Sequence, residues 1–134
     1  GQTITWRFNA AEAAENVTIT LRMASSVGSW NDKKITEIDL GAESAPSLSV
    51  NDSAVSLEDK KLDGLDNLTQ NDMQNGVAYH NFCDIVVTIN LVAGENTIVL
   101  TSGSSGVNVD KLMIETTIAL EFSRTNNLSR PSSH

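Results

Sequence analysis

The residues with the clearest chemical potential stand where a strand-like segment ends in a loop. The segment "ENTIVL" alternates polar and apolar residues and is followed by "TSGSSG", in which glycine and serine permit a tight or irregular turn. Asn108 and Asp110 come next, two positions apart, so an extended backbone places both side chains on one side of the chain. An amide and a carboxylate beside a turn form hydrogen bonds with polar ligands, which makes this loop the first candidate binding site.

Aromatic side chains are scarce, so each exposed one is a candidate ligand contact. The chain has six of them: Trp6, Phe8, Trp30, Tyr79, Phe82 and Phe122. Trp30 lies in "SSVGSWNDKK", a polar stretch that predicts an irregular loop. It either contacts a ligand or folds back to anchor the loop on the edge of the domain.

Signatures of catalysis and of transition-metal binding are absent from the sequence. There is no G-x-S-x-G elbow, H-E-x-x-H helix, Walker loop or dinucleotide fingerprint, and His80 and His134 are the only histidines. Cys83 is the only cysteine, which excludes an internal disulfide, and its place in an alternating apolar segment predicts a buried structural thiol rather than a nucleophile.

Charge excludes one class of partner and leaves another open. Nine Lys and Arg against 17 Asp and Glu give a net charge of -8, which repels nucleic acid. Five carboxylates of the acidic stretch 58–76 offer the oxygen ligands that Ca²⁺ prefers: Glu58, Asp59, Asp63, Asp66 and Asp72. Their spacing is not that of an EF-hand, and a solvated acidic loop is the favoured interpretation.

No segment approaches the roughly 20 apolar residues that span a bilayer.

Alternation of apolar and polar residues predicts the strands that must position these groups. The stretches "TITWRF", "NVTITLRMA", "FCDIVVTINL", "TIVL" and "VDKLMIE" have this period, and "ITEIDL" has it more briefly. Trp6 falls on the apolar side of the first strand and is expected in the core. "SLSVNDSAVSL" predicts two short strands joined by a polar turn, and residues 58–76 predict a long surface loop with one helical turn.

Seven or eight short strands without a long helix predict a single all-β domain, an antiparallel β-sandwich. The 134 residues suffice for one hydrophobic core. The expected domain covers residues 1–122, with 123–134 as a polar C-terminal tail.

The ordered series of motifs resembles the β-sandwich carbohydrate-binding modules of families 6 and 35. Those modules have an "L-x-x-G-x-N-x-I" turn, then a glycine-rich loop and "N-x-D-x-(L/I)". Here the pattern falls on seven residues: Leu91, Gly94, Asn96, Ile98, Asn108, Asp110 and Leu112. "ITWRFNAAEAAENVTITLRMASS" is similar to the preceding part of the family, so the resemblance covers about residues 3–115. It implies a galactose-binding-like jelly roll.

One departure concerns the start of the fold. The resemblance implies an N-terminal strand with a Glu-x-Glu pair, which helps to hold a structural calcium ion, and this chain has no such segment before residue 3. We therefore expect an unpaired edge strand unless the C-terminal segment or another chain fills it, and residues 116–122 are apolar enough to do so.

The resemblance also implies roles for the candidate residues. Asn108 matches a position that contacts sugar, although an Asx turn within its own loop is an equal alternative. Trp30 or Tyr79 would stack on a sugar ring and His80 would bond a hydroxyl, while structural roles remain open for each. Asp110 matches an aspartate used structurally, beside the calcium ion or in the hydrogen bonding of the loop.

Two functions follow from this resemblance, with a third held in reserve. The first is a noncatalytic module that binds a polysaccharide or oligosaccharide and targets an attached catalytic domain, in a secreted or cell-surface bacterial protein without membrane insertion. The second is a structural or adhesive sandwich that mediates protein contacts, because fold does not settle function. A glycan-cleaving enzyme would require a pair of carboxylates in a deep cleft.

Overall fold

The computed structural model describes residues 2–26, 35–41, 45–104 and 106–123 of the 134-residue chain. In these ranges ten strands run in chain order: β1 Thr3–Ala10, β2 Ala14–Ser25, β3 Ile38–Asp39, β4 Ser47–Val50, β5 Ser53–Val55, β6 Lys61–Leu62, β7 Cys83–Leu91, β8 Gly94–Thr101, β9 Val107–Glu115 and β10 Leu120–Phe122. Between β6 and β7 lie a short helix, α1 (Gln70–Gln74), and a 3-10 helix, Val77–His80.

The strands form two main antiparallel sheets, which make the predicted β-sandwich. The first has the order β10-β1-β8-β4-β5, and the second has the order β7-β2-β9. A small third sheet pairs β3 with β6. Neither of the two helices in the described ranges is long and apolar enough to cross a membrane.

Period-2 alternation places one face of each main strand in the core, as the sequence predicts. In β1, Trp6 and Phe8 are each 1% exposed, and Trp6 lies opposite Ile98 of β8. In β2, Ile19 and Leu21 are fully buried on the corresponding face of the second sheet. Each such side chain contributes about 1.5–3 kcal/mol when fully removed from water, so the alternation itself supplies most of the driving force for the sandwich.

The predicted turn "NDS" joins β4 and β5 through two residues with left-handed backbone conformation. Asn51 has φ 50° and Asp52 has φ 67°, which is the geometry of a type I′ turn and suits the twist of a hairpin. The turn is also tied to β8, because the Thr97 N–H donates to Asn51 Oδ1 at 2.8 Å and the Asn51 N–H donates to the Thr97 carbonyl at 2.8 Å.

Residues 58–76 differ from the predicted surface loop. The helical turn is present as α1, where Thr69 and Asp72 form a capping box. Much of the remaining stretch covers the core through four buried apolar side chains: Leu62, Leu65, Leu68 and Met73. The prediction was wrong because the acidic and amide residues set the average composition, whereas the sparse apolar residues set the packing.

The C-terminal segment supplies an edge strand, as the apolar run at residues 116–122 predicts. Strand β10 pairs with β1, and Phe122 lies opposite Phe8 with the two ring centroids 5.0 Å apart. The resemblance implies an additional strand before β1. That this strand is missing stays a prediction. Of the predicted tail, 123–134, residues 124–134 lie outside the described residues.

Candidate functional site

Three elements meet at one end of the second sheet. Strand β2 ends at Ser25, which lies opposite Val107 at the start of β9, and Met23 lies opposite Cys83 at the start of β7. The turn before β9 and the 3-10 helix before β7 therefore flank the same end of β2. We call Tyr79, His80, Gly106 and Asn108 the loop-end surface.

Asn108 and Tyr79, two of the predicted ligand contacts, are joined by a hydrogen bond. The Asn108 Nδ2 donates to the Tyr79 carbonyl at 3.2 Å, across 29 positions of sequence. Among the described residues, Asn108 Oδ1 accepts no backbone N–H of its own loop, so the alternative of an Asx turn is not formed there. The amide links the 3-10 helix to β9, and its Oδ1 has no partner among the residues that the structure describes.

The ring of Tyr79 is half-buried and is flanked by two glycines. A Cβ added to Gly76 would lie 3.5 Å from the ring carbon Cδ2, and one added to Gly106 would lie 3.9 Å from the hydroxyl oxygen. Gly76 also has φ 76°, which disfavours other residues there. Because glycine occupies both positions, no neighbouring side chain from them covers the phenol. His80 follows directly and is exposed.

A hydrogen bond that sequence reasoning missed holds the turn before β9. Ser25 is fully buried, and its hydroxyl donates to the Gly106 carbonyl at 2.7 Å. The backbone beside the Tyr79 hydroxyl is therefore fixed to the end of β2. Only the glycine-rich composition of "SGSSG" marks this turn in the sequence, and it does not identify Ser25 as the partner.

The exit from the 3-10 helix is fixed by Asn81 and Cys83. Asn81 Nδ2 donates to the Asp63 carbonyl at 2.9 Å, and the Cys83 thiol donates to the same oxygen at 3.0 Å. Cys83 is half-buried rather than buried, but it shares the inward side of β7 with Ile85 as predicted. Burial raises the pKa of the Cys83 thiol above its ordinary value of 9.0, which opposes the formation of a reactive thiolate.

The raised pKa predicts slow alkylation of Cys83. At pH 8 iodoacetamide should modify the native protein more slowly than the urea-unfolded protein, with Cys83→Ser as the blank for non-specific labelling. Since the folded pKa exceeds the unfolded one, the stability contributed by the thiol is present below pH 9.0 and is lost as pH rises through the folded pKa. Equal labelling rates in the two states would show that the thiol is accessible and unperturbed.

Asp110 forms an ion pair with Arg22. Its Oδ2 is 3.4 Å from Arg22 Nε, and Arg22 also lies 3.3 Å from Asp84 Oδ1. These pairs are exposed and contribute little to stability, but they hold Asp110 on the outer side of β9. No cluster of three His, Cys, Asp or Glu side chains suited to a metal occurs in the described ranges. The calcium role of Asp110 stays a prediction.

The remaining predicted positions are Trp30 and the carboxylates of the acidic stretch 58–76. Trp30 lies in the stretch 27–34, outside the described residues. Among the carboxylates of the acidic stretch, Asp72 serves the α1 cap, since its Oδ2 accepts the Thr69 N–H at 2.9 Å.

Two cavities lie away from the loop-end surface, one of about 590 Å³ beside Glu95 and Glu121 and one of about 540 Å³ beside Asn16 and Asn90.

Two solved structures share this architecture. One is a family 35 carbohydrate-binding module from an environmental isolate, with 22% identity, a TM-score of 0.55, and coverage of 92% of this chain and 71% of that chain. The other is the CBM35 from Cellvibrio japonicus Abf62, with 15% identity, a TM-score of 0.52, and coverage of 100% of this chain and 73% of that chain.

The chain has a carbohydrate-binding-module fold. The predicted all-β sandwich is confirmed, and both neighbours are of family 35 rather than family 6. No protein-family model matches the sequence, and a search of curated proteins finds no match. The likeness is therefore one of fold.

Proposed function

We propose that this protein is a noncatalytic carbohydrate-binding module that captures a glycan at the loop-end surface. The observation that carries the proposal is the fold, which matches two carbohydrate-binding modules over 92% and 100% of the chain. The local support is the meeting of Tyr79 and Asn108, because sugar recognition combines a flat apolar ring with oriented amide groups.

In this proposal three side chains of the loop-end surface contact the glycan. The phenol of Tyr79 offers a face or edge to the C–H groups of a pyranose, and Asn108 Oδ1 accepts a hydrogen bond from a hydroxyl. His80 offers a ring nitrogen on the adjacent exposed position. Since Ser25, Asn81 and Asn108 fix the surrounding backbone through hydrogen bonds, little loop entropy is lost when the ligand binds.

Targeting of an attached catalytic domain is part of the same proposal. A bound polysaccharide raises the local concentration of a tethered enzyme at its substrate. The proposal includes an extracellular or cell-surface bacterial protein, with a structural calcium ion held near Asp110 and with Trp30 as a further stacking residue. The resemblance of the sequence motifs is the basis of these expectations.

The carboxylates beside the larger cavity do not favour catalysis. Glu95 and Glu121 flank Asn9 on either side of β1, so the three residues form one row across β8, β1 and β10. Both glutamates are exposed and separated by about two strand spacings, ~10 Å. A general acid of a glycosidase needs a carboxyl shielded from water, and neither glutamate is buried.

A glycan array of plant, host and microbial polymers tests the proposal, followed by calorimetry on the polymer that binds. Asn108→Ala should weaken binding about fivefold, because one hydrogen bond to the ligand is lost. Asn9→Ala, an exposed amide on β1, is the matched control and should bind as the parent does. Full affinity in Asn108→Ala would move the site away from the loop-end surface.

Protein contact is the second candidate function, and the second sheet carries the observation that favours it. Among the described residues, β7 and β9 each pair with β2 alone, which leaves one edge of each open. On the outer face of the second sheet, Val86 and Met113 lie on either side of Thr20 and are 46% and 37% exposed. Open edges and exposed apolar side chains suit strand addition or docking. Failure to bind any glycan, together with self-association on sedimentation, would favour this function.

A further inference from the structure

The cavity beside Asn16 and Asn90 lies at the other end of the second sheet from the loop-end surface. It has a volume of about 540 Å³, in the range of about 300–1,000 Å³ typical of small-molecule sites. Its walls come from the start of β2, the β4–β5 hairpin and the end of β7. Seven positions of β7 separate Cys83 from Asn90, so the two surfaces are about 20 Å apart. We call this space the amide cavity.

Asn90 presents an oriented donor at this cavity. Strand β2 has a bulge between Ala14 and Val17, and the Asn16 N–H in that bulge donates to Asn90 Oδ1 at 3.0 Å. Because Oδ1 of Asn90 is held in this bond and the amide is planar, the position of its Nδ2 is fixed as well. That Nδ2 and the side-chain amide of Asn16 have no partner among the described residues. Two free amide groups therefore border the cavity.

The hairpin wall is rigid. Asn51 donates through Nδ2 to Asn96 Oδ1 at 2.9 Å and accepts the Thr97 N–H at 2.8 Å, so both ends of its amide are occupied. Asn96 is itself bonded to the Val92 N–H and carbonyl, which lie at the turn bordering the cavity. The amide of Asn51 is thus a fixed part of the wall, and Asn16 and Asn90 are the groups left for a ligand.

The rest of the lining is neutral and mixed in polarity. Ser53 and Thr88 contribute exposed hydroxyls that have no partner in the described part of the chain. Val50, Val55 and Val92 contribute aliphatic surface, and Val92 is 49% exposed. Among the residues that the structure describes, no charged side chain lines the cavity. In addition, the net charge of -8 disfavours an anionic occupant.

We propose that the amide cavity is a second binding site, and that it takes a neutral sugar unit. The hydroxyls of a sugar accept from Asn90 Nδ2 and exchange hydrogen bonds with Asn16, Ser53 and Thr88. Its C–H groups lie against the valine side chains, since such mixed lining suits a ligand with alternating polar and apolar edges. A second weak site on one module increases avidity for a polymer long enough to reach both.

Chemical-shift mapping of the ¹⁵N-labelled protein tests this site separately from the loop-end surface. The probes are xylohexaose, cellohexaose, mannohexaose and galactohexaose at millimolar concentration, each titrated alone. With at least one sugar, the amide signals of Asn16, Ser53, Thr88 and Asn90 should shift and saturate. Asn90→Asp should weaken this response about fivefold, because it keeps the oxygen that binds the Asn16 N–H and replaces the free donor with an acceptor.

Two further measurements decide between the sites and between the ligand classes. Asn108→Ala should leave the response of the amide cavity unchanged, and Asn90→Asp should leave the shifts of Tyr79 and Gly106 unchanged. Cavity shifts without loop-end shifts would support this inference and contradict the proposed function. Absence of cavity shifts with every sugar, or an unaltered response in Asn90→Asp, would overturn it. Shifts caused only by the capped peptide Ac-VTVTVT-NH₂, which would add to the β5 or β7 edge, would also overturn it.

Discussion

Asn96→Ala is expected to lower the free energy of unfolding by about 3 kcal/mol. Asn96 is fully buried, and its side chain makes four hydrogen bonds. Its Oδ1 accepts from Asn51 Nδ2 and the Val92 N–H, and its Nδ2 donates to the Val92 and Gly94 carbonyls. Alanine would remove all four bonds, each of which contributes about 0.5–1.5 kcal/mol, and would leave the Val92 N–H and the Asn51 Nδ2 without this partner in partly buried positions.

Urea unfolding followed by tryptophan fluorescence measures this loss, with Asn9→Ala as the matched control. Asn9 is also an asparagine in a strand, but it is exposed, so its replacement should change stability by less than about 0.5 kcal/mol. If the two variants unfold at the same urea concentration, the bonds of Asn96 are not what ties the β7–β8 turn to the β4–β5 hairpin.

Asn96 also illustrates what the sequence could predict. Its place in "L-x-x-G-x-N-x-I" indicated a turn followed by a strand, and Gly94 does have φ 94° at that turn. The partner Asn51 could not be predicted, because it is 45 positions away and belongs to a different hairpin. A local motif identified the residue, and only the packing of two hairpins identified its role.

The strands were predictable because alternation is a local property. Trp6 and Leu21 could be assigned to the core from their neighbours two positions away, and both are buried. Leu62 and Met73 were missed because they are isolated among acidic and amide residues, and the strands that bury them are distant in sequence. Composition describes a segment on average, whereas one or two apolar side chains suffice to fix it to a core.

The candidate site was predictable as residues but not as an arrangement. The sequence indicated Tyr79 and Asn108 separately, because β7 and β8 lie between them in the chain. Their hydrogen bond forms only because these two strands run in opposite directions and return the chain to the same end of the second sheet. Arg22 received no role, although it lies between Asp84 and Asp110 and pairs with both. Ion pairs between neighbouring strands require the register, which alternation alone does not give.

Tyr79→Ala is expected to weaken glycan binding by about 10- to 30-fold, the largest effect of any single change at the loop-end surface. Tyr79 is the only Phe, Tyr or Trp among the four residues of that surface, so alanine removes its largest flat apolar area. Tyr79→Phe keeps the ring and removes the hydroxyl, and should weaken binding by no more than about fivefold. The difference between the two variants isolates stacking from hydrogen bonding.

A structural contribution of Tyr79 must be separated from this effect. The ring is half-buried between Gly76 and Gly106, so alanine also removes packing between the 3-10 helix and the turn before β9. Calorimetry should therefore be accompanied by urea unfolding and by the amide signals of Gly106 and Asn108. If Tyr79→Ala binds the glycan more weakly while those amide signals keep their positions, the loss of affinity is due to the lost ligand contact. If Tyr79→Phe loses as much affinity as Tyr79→Ala, the ring does not stack on the sugar and the hydroxyl carries the interaction.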